Sequence, residues 1–193
     1  MKKVLTIVDD FLSNPVLIRD TVIAHGFTTE KFEGVDYETV NVTYRPAEIF
    51  YHLEDLYHEK VKISVAAFRQ GMEGSPLHNL VHADNSCSEL ASVLYLNEDA
   101  PFESGTAFWR HKATGWEHMP TEEQLSAKGY TTERFAADWH RAEAWEMVFL
   151  ARAKFNRLIT YPTTAFHSRW PWEGFGENDD EARLIHAAFF SLV

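Results

Sequence analysis

Cysteine is almost absent from this chain. Cys87 stands alone, so no internal disulfide can form, and a reducing compartment fits. Basic residues are also scarce. Eighteen Lys and Arg face 29 Asp and Glu, giving a formal charge of -11. No basic patch emerges, which argues against a nucleic-acid partner and suits neutral or cationic substrates, or plain solubility. Long apolar runs are missing too. Met1-Lys2-Lys3 followed by Val4–Val8 begins like a secretion signal, but Asp9-Asp10 cut the run short. No stretch is long enough to span a bilayer, so a soluble cytoplasmic protein without a membrane partner is expected. There is no internal repeat, low-complexity tract or linker, and residues 1–193 are expected to form one domain.

What is present is apolar and aromatic. Hydrophobic residues make up 45% of the chain and aromatics 14%, enough for a folded core and too much for disorder. Val4–Val8 reads as a strand. Ser13 or Asn14 caps a helix that carries Pro15 in its first turn, runs to about His25 and stops at Gly26. Tyr37–Tyr44 alternates as a strand, and 47–60 reads as a second helix with Ile49, Leu53 and Leu56 or Tyr57 on one face. Strands then dominate: 61–68, 91–96, 106–111, 147–153, 157–161 and, without a breaker, 183–192. Between them, 113–129 is an excursion with a short helix possible over 121–127, and 132–145 reads as helical. The pattern predicts a mainly β fold with helices at its start, a sandwich or barrel.

The chemistry centres on Val81-His82-Ala83-Asp84. In an extended chain, positions two apart share a face, so one imidazole and one carboxylate converge. A second histidine brought in by the fold, His167, completes a two-His-one-carboxylate face of the kind that binds non-haem Fe(II) and leaves open positions. Ligand type alone does not choose among Fe, Mn, Co, Ni and Zn, so a zinc hydrolase stays open on the residues alone. Downstream, Arg183 opens the last strand. If it faces inward, so do Ile185, Ala187 and Phe189, an apolar wall with one fixed cation suited to a carboxylate. Tyr95 is placed to donate its phenol to the same group.

The order of motifs resembles a known family. His82-Ala83-Asp84 is followed by Val93-Leu94-Tyr95-Leu96-Asn97, then Ser104-Gly105-Thr106, then Asn156-Arg157-Leu158-Ile159-Thr160-Tyr161-Pro162, then His167 and Arg183. The opening Asp9-Asp10-Phe11-Leu12-Ser13-Asn14-Pro15 fits the same pattern. This resembles the Fe(II)/2-oxoglutarate-dependent oxygenases, particularly the prolyl-4-hydroxylase-like branch. The resemblance implies a double-stranded β-helix, a jelly-roll or cupin-like barrel with supporting N-terminal helices. It implies that His82, Asp84 and His167 ligate Fe(II), and that Arg183 and Tyr95 hold the distal carboxylate of 2-oxoglutarate. O2 would take the last iron position, and the cosubstrate would leave as succinate and CO2. The substrate would be a small molecule or an amino-acid or peptide side chain. Relatives that halogenate replace the carboxylate by a small residue, so Asp84 points to hydroxylation or a related oxidation.

Two rival readings are a cupin-like metalloenzyme that uses the triad without 2-oxoglutarate, and a non-catalytic ligand-binding barrel. Arg183 follows His167 by sixteen positions where about ten is common in the family, so Arg169 competes for the anchor. An insertion over 170–180 would absorb the difference, and Trp170-Pro171-Trp172 within it could form a lid or join the core. A surface ion pair with Asp179, Asp180 or Glu181 is the ordinary alternative for Arg183. His78, His111, His118, His140 and His186 have no spacing that recruits them, and His186 is expected to face away from Arg183.

Overall fold

A computed structural model describes residues 5–32, 35–75, 77–84, 88–178 and 181–193. Val4, Cys87, Asp179 and Asp180 lie outside the described residues. The chain enters through β1 (Thr6–Val8) and helix α1 (Pro15–His25). Asn14 caps that helix by accepting from the Leu17 N–H, Pro15 sits at its first position, and Gly26 ends it with φ 75°. β2 (Thr28–Phe32) and β3 (Val35–Asn41) form a hairpin, and α2 (Ala47–Tyr57) precedes β4 (Val61–Gly71). The remaining strands are β5 (Leu90–Tyr95), β6 (Gly105–His111), β7 (Trp145–Arg152), β8 (Leu158–Pro162), β9 (His167–Trp170) and β10 (Arg183–Leu192).

Among the described residues these strands make a seven-stranded sheet, ordered β1-β8-β5-β10-β4-β3-β2, and a three-stranded sheet, ordered β7-β6-β9. All the pairings are antiparallel. The two sheets enclose a double-stranded β-helix, and α1 and α2 support the large sheet from outside. Strand alternation divides the side chains between two cores. In β5, Leu90 and Leu94 join the helix-side core with Ile18, Val22, Ile49 and Leu53, while Ala91, Val93 and Tyr95 face the barrel interior. All six β5 residues are buried, because both faces of the strand are covered. β10 repeats the division: Leu184 and Phe190 face the helices, and Ile185, Ala187 and Phe189 face the barrel.

The excursion between β6 and β7 covers the outer side of the small sheet. It contains α3 (Glu122–Ala127), closed by a capping box between Thr121 and Gln124, and α4 (Thr132–Ala137). The continuous helix expected over 132–145 is instead α4 followed by two short 3-10 turns, and Trp145 already belongs to β7. Tertiary packing decides this: Trp145 is buried against Phe135 and Phe166, and its indole donates to the Asp138 carbonyl at 2.7 Å. β2 and β9 were not expected as strands.

Candidate metal centre

The barrel brings the three sequence-identified residues together. Val81–Asp84 is not a full strand; it meets the start of β9 in a single antiparallel bridge between His82 and His167. The His82 N–H donates to the His167 carbonyl at 3.1 Å, and the return bond is 2.9 Å. Directly opposed residues of an antiparallel pair share a face, so the two imidazoles stand side by side, with ring centroids 4.5 Å apart. Asp84, two residues on, is fixed by its N–H donating to the Thr163 carbonyl at 2.9 Å. Its Oδ1 lies 3.5 Å from His167 Nε2 and 3.8 Å from His82 Nε2. One ligand atom from each of the three residues falls within 4.8 Å of the others.

The electrostatics suit a cation. Burial, then His167 and Arg69, push the His82 imidazole well below its ordinary value, which favours the neutral ring with one nitrogen open to a ligand. Burial pushes the Asp84 carboxyl upward, a penalty that a metal ion would reverse. His82 Nδ1 and Asp84 Oδ2 are buried and find no hydrogen-bond partner among the described residues. His167 Nδ1 is 2.9 Å from the Ala165 carbonyl; donating to it sets the tautomer that leaves Nε2 open. His82 is the accessible member, its side chain 32% exposed, against 8% for Asp84 and 7% for His167. The group is therefore open on one side and closed on the others.

Deeper in the barrel lies Arg183. It opens β10 as expected, on the same strand face as Ile185, while His186 packs on the opposite face against Phe50 and Phe68. Arg183 Nε is buried without a partner among the described residues. Desolvation pushes its guanidinium down to about 10, with Arg69 and Arg169 adding to the effect against the pull of Tyr95. It remains charged at neutral pH. The Tyr95 ring lies 5.9 Å from the guanidinium carbon. The Tyr95 hydroxyl is engaged, donating to Thr106 Oγ1 at 2.7 Å, with the Ala151 carbonyl at 3.3 Å. Tyr95 therefore stands beside Arg183 with its hydroxyl bonded to Thr106. Arg169 differs: its Nε donates to the Trp172 carbonyl at 2.8 Å and another of its nitrogens to the Ser75 carbonyl.

The loop after β9 explains the long spacing between His167 and Arg183. It folds back onto residues 72–75, with the Gly74 N–H donating to Glu173 at 2.8 Å and the Glu73 N–H to Gly176 at 3.0 Å. Trp172 stacks on Trp109 at 5.2 Å, and both indoles donate to Ser168 Oγ. Trp170 and Trp172 thus pack on the outer side of the small sheet rather than across the triad.

Two further barrel residues bear on the site. Tyr161 on β8 sets its ring 4.7 Å from that of His167, and burial, Asp84 and Tyr95 push its phenol well above its ordinary value. Its alternation with Ile159 was the available signal. Arg69 on β4 opposes Ile185, so it shares the barrel face, and its charge acts on His82, Asp84, Arg169 and Arg183. A separate cavity of about 480 Å³, bounded by Tyr130, Arg134 and Arg141, lies on the excursion side. His111 on its wall has both ring nitrogens engaged, with Thr114 at 2.8 Å and Asp138 at 3.1 Å, which marks a structural cluster.

Among the described residues no helix is long and apolar enough to cross a membrane. No curated protein matches the sequence. Solved structures do match in fold. The non-heme alpha ketoglutarate dependent carbocyclase SnoK from nogalamycin biosynthesis is 14% identical, with a TM-score of 0.58 over 98% of this chain and 80% of that one. EctD from S. alaskensis, solved with 2-oxoglutarate and 5-hydroxyectoine, is 13% identical, with a TM-score of 0.54 over 100% of this chain and 73% of that one. HygX from Streptomyces hygroscopicus, solved with iron bound, is 8% identical, with a TM-score of 0.53 over 97% of this chain and 82% of that one. At these identities the likeness is one of architecture. The sequence itself matches one described family across residues 1–190, and the chain belongs to that family, the family of unknown function DUF6445.

Proposed function

We propose that this chain is an Fe(II)- and 2-oxoglutarate-dependent oxygenase. One observation carries the reading: a two-His-one-carboxylate group at the barrel opening shares an interior face with a half-buried arginine whose buried Nε lacks a partner among the described residues. The donor set fits Fe(II), with two imidazoles and one carboxylate arranged on one face. His82, Asp84 and His167 would hold the metal, and Arg183 the distal carboxylate of 2-oxoglutarate. A buried guanidinium offers such a carboxylate a charge-assisted, two-pronged bond. Arg169 is the poorer anchor, because two of its nitrogens already donate to backbone carbonyls.

Bound iron, 2-oxoglutarate and O2 would supply the oxidation, with loss of succinate and CO2. The chain's own part is to place and shield. Ala165 fixes the His167 ring. Phe108, Tyr161, Ile185 and Tyr95 line a dry interior that strengthens the Arg183–carboxylate attraction. Thr106, which accepts from Tyr95, can turn its own hydroxyl hydrogen toward the same carboxylate. Asp84 supports hydroxylation or a related oxidation over halogenation, since no metal position is left open by a missing carboxylate. The substrate class is a small molecule or an amino-acid or peptide side chain. The opening beside His82 is where it would enter.

The test is an anaerobic titration of the Fe(II)-loaded protein with 2-oxoglutarate, followed by the visible charge-transfer band of the chelate. A saturable band is expected. Iron binding without a band would replace this reading by a cupin-like metalloenzyme. Absence of iron binding would leave a ligand-binding barrel.

A further inference from the structure

Arg183 stands where its strand is least supported. On one flank β10 is laddered to β4 from Arg183 onward, with Arg183 opposite Gly71. On the other flank the ladder to β5 begins only at Ile185, opposite Tyr95. Past Tyr95, the Leu96 N–H still donates to the Leu184 carbonyl at 3.0 Å. Beyond that point the support comes from a side chain. Asn97, only 6% exposed, accepts from the Leu184 N–H through Oδ1 at 2.8 Å, and its Nδ2 donates to the Ala182 carbonyl. One carboxamide thus brackets Arg183 from both sides and takes the place of the missing strand rung.

The bracket matters because the guanidinium is loosely set among the described residues, with the Tyr95 ring 5.9 Å from its carbon. Gly71 opposite it has no side chain to pack against its stem, and Nε has no partner among the described residues. Where the head group lies depends on where the backbone at Arg183 is held. That backbone emerges from the long loop after β9. We propose that Asn97 is a positioning residue for the 2-oxoglutarate anchor, holding the Arg183 backbone so that its guanidinium meets the distal carboxylate. This rests on the reading of Arg183 given above. The role needs an amide, because it takes one donor and one acceptor in a fixed plane. Aspartate would set a carboxylate oxygen against the Ala182 carbonyl, serine could make one of the two bonds, and alanine neither.

The experiment compares wild type, Asn97→Ala, Asn97→Asp and Asn97→Ser by anaerobic 2-oxoglutarate titration of the Fe(II) proteins, with Fe(II) affinity measured separately. Asn97→Ala and Asn97→Asp are expected to weaken 2-oxoglutarate about tenfold or more and Asn97→Ser about threefold, by loss of charge-assisted bonding. Iron affinity should stay within about twofold, since the triad lies on other segments of the chain. In an Arg183→Lys background, Asn97→Ala should add less than about twofold, because the geometry it guards is no longer in use. In the metal-free protein, amide exchange at Leu184 should quicken about tenfold while that at Ala188, in mid-ladder, stays unchanged. If Asn97→Ala does not fold, Asn97→Ser decides on the same criteria. Variants that bind 2-oxoglutarate as wild type does overturn the proposal, and so does iron affinity falling in step. A wild-type protein that binds iron but no 2-oxoglutarate overturns the cosubstrate reading and this inference with it. A wild type that binds it, with indifferent Asn97 variants, overturns this inference alone.

Discussion

Replacing Arg183 by methionine should move stability and ligand binding in opposite directions. The guanidinium is charged, desolvated and repelled by Arg69 and Arg169, and its pKa falls from the ordinary arginine range to about 10. A folded pKa below the unfolded one means that the unfolded chain holds the proton more tightly. Stability from this group therefore rises with pH from about 10 up to the ordinary arginine range, and at neutral pH the full penalty is present. The shift corresponds to a ceiling of about 3 kcal/mol. Partial solvent access and the Tyr95 contact reduce it, so about 1–2 kcal/mol is the working figure. Methionine keeps the unbranched stem and removes the charge. The metal-free Arg183→Met protein should melt about 2–8 °C above wild type, as a chain of this size gains about 2–4 °C per kcal/mol. Its affinity for 2-oxoglutarate should fall about 30- to 1,000-fold, the cost of losing a buried partner of a carboxylate. Calorimetry of chelator-treated protein gives the first quantity and the anaerobic titration the second. Saturating 2-oxoglutarate should raise the wild-type midpoint and leave the variant unmoved. A lower melting temperature with intact 2-oxoglutarate binding would mean that Arg183 is a structural cation, and the anchor would pass to Arg169.

Other residues give independent tests. His167→Ala should weaken Fe(II) binding by about two orders of magnitude in anaerobic dialysis, since two donors remain of three; unchanged affinity would remove the triad. His186 is buried, and burial, with Arg45, lowers its pKa from 6.5 to about 3. The unfolded chain binds this proton first, so stability falls as pH drops from 6.5 toward about 3, by about 2 kcal/mol between pH 7 and pH 5. His186→Leu should flatten that part of the urea-unfolding profile; an unaltered slope would refute the assignment. Asn156 adopts φ 60°, and its amide bonds the Leu12 N–H at 2.8 Å and the Leu12 carbonyl at 2.9 Å. Asn156→Ala should cost about 2–4 kcal/mol, from the lost bonds and a left-handed backbone, while Asn156→Gly should recover only the backbone part, about 1 kcal/mol. Equal midpoints for the two variants in denaturant would show that the conformation costs nothing.

The sequence made some of this legible because the relevant forces were local. Asn14, Pro15 and Gly26 carry the ends of α1 in their own backbone preferences. The His82/Asp84 pair needed only extended geometry, and a single bridge to His167 supplied enough of it. The facing of Arg183 and His186 followed from strand alternation, because β10 is covered on both sides and each face has a fixed destination. What stayed hidden depends on partners far away in the chain. β9 is four residues long and exists because β6 on one side and His82 on the other accept it. The Tyr95 hydroxyl meets Thr106, which lies on another strand, and only the fold brings the two together. Arg69 enters the barrel only through its register with Ile185.

The same distinction explains the two asparagines that end and begin quoted motifs, Asn97 after β5 and Asn156 before β8. The left-handed backbone of Asn156 is one local reason for its identity, but the amide of each residue bonds backbone more than eighty positions away. Both take a donor and an acceptor at once, Asn156 on Leu12 and Asn97 on Ala182 and Leu184. An amide is the uncharged side chain that supplies both in one plane. These residues mark places where the barrel's strands run out of backbone partners. At one of them the group being held is the arginine on which the proposed chemistry depends.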